Sequence, residues 1–111
     1  MGRLASSVIV NGLIRLAEQQ GGFGAVLSKG DATAGSIVIL LMERGERKAL
    51  LEQLLQPDGS YGWRDSLGAA NNEEDMVKFL DRRRRFDPDS WILELDVASA
   101  ERFAAEMSAI D

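Results

Sequence analysis

The sequence predicts an α+β fold: an antiparallel sheet of about five strands with helices packed on it, in the order α-β-β-β-β-α-β-α. Three observations predict it. Apolar residues near the N-terminus recur at helical spacing. The run from Ser36 to Met42 is continuously β-branched and aliphatic, as in a strand covered on both faces. Between Phe23 and Trp63, short apolar stretches alternate with glycine-marked turns, which implies strands joined as an antiparallel meander.

Residues 5–20 read as the first helix, since Val10, Leu13, Ile14 and Ala17 share one face. Ser6 or Ser7 is suited to cap it, and Gly21-Gly22 ends it. Phe23 to Ser28 is a short strand, and a turn at Lys29-Gly30-Asp31 leads to the central strand. Gly35 just before that strand marks a close backbone approach or a bulge. After the polar turn Glu43 to Arg47, residues 48–56 fit a helical face or a strand. Their shortness and the turn signal Pro57-Asp58-Gly59 favour a strand, paired as a hairpin with Tyr61 to Arg64. Asn71 or Asn72 caps a second helix, with Asn71 and Glu74 at capping-box spacing. Acidic Glu73, Glu74 and Asp75 suit its positive end. Pro88 forces it to stop near Phe86. Trp91 to Leu95 is a last strand, and a short helix follows Asp96 with Ala100, Phe103, Ala104 and Met107 as its apolar stripe.

The chain has 111 residues, which suits a single α+β domain over 1–111. It has no cysteine and no histidine. Thiolate chemistry and a serine–histidine–aspartate triad are therefore excluded, and the commonest transition-metal ligands are missing. A net charge of −5 disfavours broad attraction to nucleic acid or anionic lipid. The longest apolar run, Ile37 to Met42, is far too short to span a bilayer, and the N-terminus lacks the layout of a signal peptide. These points lead to the expectation of a cytoplasmic protein with no membrane segment, no metal and no cofactor.

Two stretches carry a family resemblance. One is Phe23-x-x-Val26-Leu27-x-Lys29-Gly30-Asp31-x-x-Ala34-Gly35-x-Ile37. The other, more specific, is Arg83-x-Arg85-Phe86-Asp87-Pro88-Asp89-x-Trp91-Ile92-x-Glu94-Leu95. With the Leu13-Ile14-Arg15 helix they resemble a family of small bacterial proteins, mostly alphaproteobacterial, known as domain of unknown function fourteen-ninety-one. The resemblance runs from Leu4 to about Asp96. It implies a cytoplasmic bacterial protein and brings no activity, cofactor or site residue with it.

Each charged or aromatic constellation has a functional and a plain reading. Arg82 to Arg85 could grip phosphate, but four successive helical residues point in different directions, and cations suit a helix C-terminus. Lys29-Gly30-Asp31 could hold an anion on its backbone or be a solvated turn. Asp87, Asp89 and Glu94 could supply carboxylates for a hard cation, yet Asp87-Pro88-Asp89 also reads as a tight turn. Trp63, Tyr61 and Trp91 could stack a ring or pack as strand residues. No catalytic residue is assigned. The leading expectation is a non-catalytic protein-interaction module forming a homodimer, because the adjacent pairs Leu50-Leu51 and Leu54-Leu55 would expose one apolar face of a strand to a partner. The alternative is a binder of a small anion, nucleotide or RNA through the Lys29–Asp31 turn and the Arg82–Trp91 stretch. Its site would combine Lys29, Asp31, Arg85, Asp87 and Trp91, provided the turn and the helix exit meet in space.

Overall fold

The computed structural model describes residues 3–108 and 110. Its elements are α1 (Ser6–Gln19), β1 (Phe23–Ser28), β2 (Ile37–Glu43), β3 (Glu46–Leu55), β4 (Tyr61–Asp65), a single 3-10 turn (Leu67–Ala69), α2 (Glu73–Phe86), β5 (Trp91–Val97) and α3 (Ala100–Met107). Residues 48–56 thus lie almost wholly in a strand, and the element order is the expected one.

The sheet is mixed, which corrects the antiparallel meander. Its strand order is β1-β5-β2-β3-β4, with β2 and β5 parallel and the other neighbours antiparallel. The last strand enters between the first two. Composition explains why. Trp91, Leu93, Leu95 and Val97 are buried on one face of β5 and Ile92 on the other, so this strand needs cover on both sides and belongs in the middle. The strand β1 carries two small residues, Gly24 and Ala25, and takes the edge. The eight-residue link 29–36 leaves room to step across the intervening strand. The β2–β3 hairpin turns through Arg44 and Gly45, both at positive φ (50° and 85°), the arrangement a two-residue hairpin needs.

Two cores lie on opposite sides of the sheet. On one side, Ile9, Val10 and Leu13 of α1 and Phe103 and Met107 of α3 pack on Ile39, Leu51 and Leu93. On the other, Met76 and Leu80 of α2, with Ala70, cover Val38, Leu40, Leu50 and Ile92. Leu50 and Leu51 do point to opposite faces, but helices of the same chain cover both. The homodimer expectation rested on one of those faces lacking cover.

The helix starts differ from expectation in detail. Ala5, not Ser6 or Ser7, occupies the N-cap of α1, and no side chain caps it. Instead the N–H groups of Ser6 and Ser7 donate to the carbonyls of Thr33 and Ala32 (3.1 and 2.9 Å), so the loop before β2 satisfies the free helix end. The Ser6 hydroxyl is buried and donates to the Gly35 carbonyl. At α2 the cap is Asn72, whose Oδ1 accepts from the Asp75 N–H at 2.8 Å. The reciprocal pair is therefore Asn72 and Asp75, not Asn71 and Glu74.

Candidate functional site

The only acid buried in the middle of the sheet is Glu52, among the described residues, on β3 between Leu51 and Gln53. It faces the α2 side and sits opposite Val38 on β2 and Arg64 on β4. A charge there requires partners. Three arrive from three elements. Arg83 Nη1 of α2 donates to Oε1 at 2.6 Å, Arg64 Nη2 donates to Oε2 at 3.0 Å, and the Ser66 hydroxyl donates to Oε2. Arg83 continues the cluster. Its Nε donates to the Ser90 hydroxyl at 3.0 Å and its Nη2 to the Ser36 hydroxyl at 2.9 Å. Ser36 in turn donates to Asp87 Oδ2 at 3.0 Å. Helix periodicity places Arg83 there: Met76, Leu80 and Arg83 stand at i, i+4 and i+7, so the arginine extends the buried stripe of α2.

Electrostatics in the cluster favour ionised carboxylates. Burial pushes the Glu52 carboxyl up, but hydrogen bonds from Ser66, Arg64 and Arg83 outweigh it, and its pKa lies below the ordinary value. Asp87 is also lowered, first by its hydrogen bond with Ser90 and, against some desolvation, by Ser36 and the Arg83 charge. Two arginines balance two carboxylates, so the cluster is locally neutral and fastens the C-terminal half of α2 to the sheet.

Beside it opens a groove of about 500 Å³, lined by Glu52, Asp75, Lys78, Phe79, Arg82, Arg83 and Phe86. Asp75, Phe79, Arg82 and Phe86 recur at i, i+4, i+7 and i+11 and so line one flank of α2. Phe86 is 76% exposed, a large apolar surface to leave in water. Arg82 makes no hydrogen bond or ion pair among the described residues. Lys78 is held only by an exposed pair with Glu74 at 3.2 Å.

The Lys29–Asp31 turn and the Asp87–Trp91 stretch do meet, through backbone rather than around a cavity. The Asp31 N–H donates to the Asp89 carbonyl at 2.9 Å, and the Trp91 indole N–H donates to the Asp31 carbonyl at 2.7 Å. A Cβ on Gly30 or on Gly35 would collide with the Asp89 carbonyl, which is why glycine stands at both positions. The Asp31 carboxylate folds back onto the N–H groups of Thr33 and Ala34. Trp91 is buried with its ring in the α1–α3 core, so it is closed to a stacking ligand. Lys29 and Arg85 are exposed, without a polar partner among the described residues. Asp87 alone of the five belongs to the polar cluster. The four arginines divide their roles: Arg82 faces the groove, Arg83 enters the cluster, Arg84 binds the Ser28 hydroxyl at 2.7 Å, and Arg85 points to solvent.

Sequence reasoning passed over Glu52 and Phe79 and took Arg83 only as a member of the arginine run. One signal was available for Glu52, a charged residue interrupting the aliphatic β3. Another was available for Arg83, at the next turn of the Met76–Leu80 stripe.

The molecule is therefore a three-layer α+β protein, built on a mixed five-stranded sheet with a buried glutamate–arginine cluster beneath one helix. It belongs to a family described as protein of unknown function, DUF1491, whose pattern matches residues 4–105. Solved structures similar to it include three family relatives. A crystal structure of a DUF1491 family protein from Caulobacter crescentus is 30% identical, over 91% of this chain and 94% of that one, with a TM-score of 0.74. An NMR structure of a DUF1491 family protein from the same organism is 32% identical, over 90% and 91%, with a TM-score of 0.77. A solution structure of an Agrobacterium tumefaciens protein is 30% identical, over 91% and 92%, with a TM-score of 0.76. No curated protein matches. Among the described residues no helix is long and apolar enough to cross a membrane.

Proposed function

We propose that this protein is a non-catalytic interaction module and that the groove along α2 is its docking surface. The occupant is a short acidic segment of a partner protein that carries a large apolar side chain. One observation carries the reading: an arginine without a partner, Arg82, stands between two phenylalanines, Phe79 and Phe86, on the open flank of a helix. Aromatic side chains beside arginine are the residue types that anchor protein contacts. Within the groove, Arg83 and Glu52 neutralise one another and Lys78 pairs with Glu74, so Arg82 is the cation left to meet an acidic partner.

One feature supports a binding role over an enzymatic one. Glu52 and Asp87 are the acids in the cluster, and both are held ionised by arginine and serine hydrogen bonds. A general acid needs the opposite shift.

The test is fluorescence anisotropy with a labelled peptide of glutamates around one phenylalanine. Binding is expected, and Arg82→Glu or Phe86→Ala should weaken it by about tenfold or more. No binding, or binding unaffected by both substitutions, overturns the proposal. So does a preference for a nucleotide or RNA over the peptide at this groove.

A further inference from the structure

We infer that the outer edge of β1 is a strand-addition site for a second, differently charged partner: an extended segment with a lysine or arginine flanked two residues away on each side by apolar side chains. The proposal is independent of the groove on the far flank of α2.

The sheet ends at β1, which pairs only with β5. Its outward N–H and C=O groups find no backbone partner among the described residues. Edge strands are usually blunted by charge, proline or short length. The opposite edge, β4, carries Arg64 and Asp65. The stretch Phe23-Gly24-Ala25-Val26-Leu27-Ser28 carries no charge and no proline. It leaves Phe23 59% and Leu27 43% exposed. A bulge between Val26 and Ser28 limits the regular ladder to the first four residues. Strand addition is a common way for a free edge of this kind to be used.

Register and charge select the occupant. Residues opposite one another on antiparallel strands share a face, so Phe23 lies beside Asp96 and Ala25 beside Glu94 on the α2 side of the sheet. Glu94 is half-buried and has no hydrogen bond or ion pair among the described residues. Its carboxylate belongs to a second cleft, of about 590 Å³, whose apolar lining includes Leu27, Met42 and Val77. An unpaired carboxylate in such surroundings favours a cation. The edge-strand residue paired with Glu94 is Ala25, which is small. An added strand would lie two strand spacings from β5, about 9.6 Å. A lysine on it, opposite Ala25, leans inward over the alanine to meet Glu94. Its neighbours two residues away fall opposite Phe23 and beside Leu27, which accounts for the apolar flanks.

The probe is a labelled seven-residue peptide, Thr-Val-Thr-Lys-Thr-Val-Thr, followed by anisotropy and by amide shifts in the ¹⁵N-labelled protein. Binding with shifts concentrated at residues 23–28 is expected. Glu94→Gln should weaken it by about tenfold, the cost of losing one charge-assisted hydrogen bond. Replacing the peptide lysine by glutamate should do the same. Ala25→Lys, which supplies Glu94 with a cation from within the chain, should abolish binding while thermal unfolding shows the fold intact. No binding, or affinity indifferent to Glu94 and to the peptide charge, overturns the inference. So does a dimer in light scattering whose amide shifts on dilution fall at residues 23–28.

Discussion

Replacing Arg83 by methionine removes the one side chain that joins α2, β3 and the loops before β2 and β5. Glu52 is then a carboxylate 5% exposed to water, holding only Arg64 and Ser66. Breaking a buried pair by removing one partner costs about 3–5 kcal/mol. Here the remaining two donors and the 20% exposure of the Arg83 side chain bring the expected loss to about 2–3 kcal/mol. Glu52→Leu leaves Arg83 with Ser36, Ser90 and Asp87 and should cost about 2 kcal/mol. The double variant replaces the pair by apolar groups of similar bulk, and such exchanges are near neutral, about 0–1 kcal/mol. Urea unfolding of the four proteins gives the coupling, expected at about 4 kcal/mol and of stabilising sign in the wild type. Each kcal/mol should also appear as about 4 °C in Tm for a domain of this size. If the double variant loses the sum of the two singles, the residues do not act as a pair and the clamp on α2 is wrongly assigned.

Acid should weaken the fold through the same cluster. Glu52 and Asp87 have folded-state pKa values below their ordinary ones, so in acid the unfolded chain binds more protons and stability falls as pH falls. The Glu52 contribution is whole above its ordinary value, 4.5, and is lost as pH drops through the folded-state value. Urea midpoints should therefore show wild type and Glu52→Gln converging in acid and diverging towards neutral pH. Gly35→Ala forces a Cβ onto the Asp89 carbonyl and should cost about 3 kcal/mol by thermal unfolding; a neutral result would mean that the two loops do not touch. Trp91→Phe keeps the ring in the core but loses the bond to the Asp31 carbonyl. It should cost about 1–2 kcal/mol, with faster amide exchange at residues 30–35.

Local chemistry was legible in the sequence. Element boundaries followed from glycine, proline and helical spacing, and β3 was recognisable from the turns around it. The strand order was not. It depends on β5 burying Trp91, Leu93, Leu95 and Val97 under α1 and α3 and Ile92 under α2, while β1 has the small Gly24 and Ala25 in its middle, a comparison between segments far apart in sequence. Local turn signals favour pairing neighbours and so suggested a meander. The meeting of the Lys29–Asp31 turn with the exit of the second helix was set as a condition on the site, and it is fulfilled by backbone packing of Gly30 and Gly35 against Asp89 rather than by ligand-facing side chains. The cluster was hidden for a different reason. A run of four arginines looks uniform, yet one position in the helical period carries one of them inward to an acid thirty-one residues away.

The most direct test of the account is a map of backbone amide shifts as the acidic phenylalanine peptide is added to the ¹⁵N-labelled protein. Arg82→Glu and Phe86→Ala sit on exposed side chains and should unfold within about 0.5 kcal/mol of wild type, so they serve as folded controls. The account predicts shifts along Asp75, Phe79, Arg82 and Phe86 that vanish in both controls. Shifts confined to the Lys29–Asp31 turn, or to the face covered by α1 and α3, would contradict it.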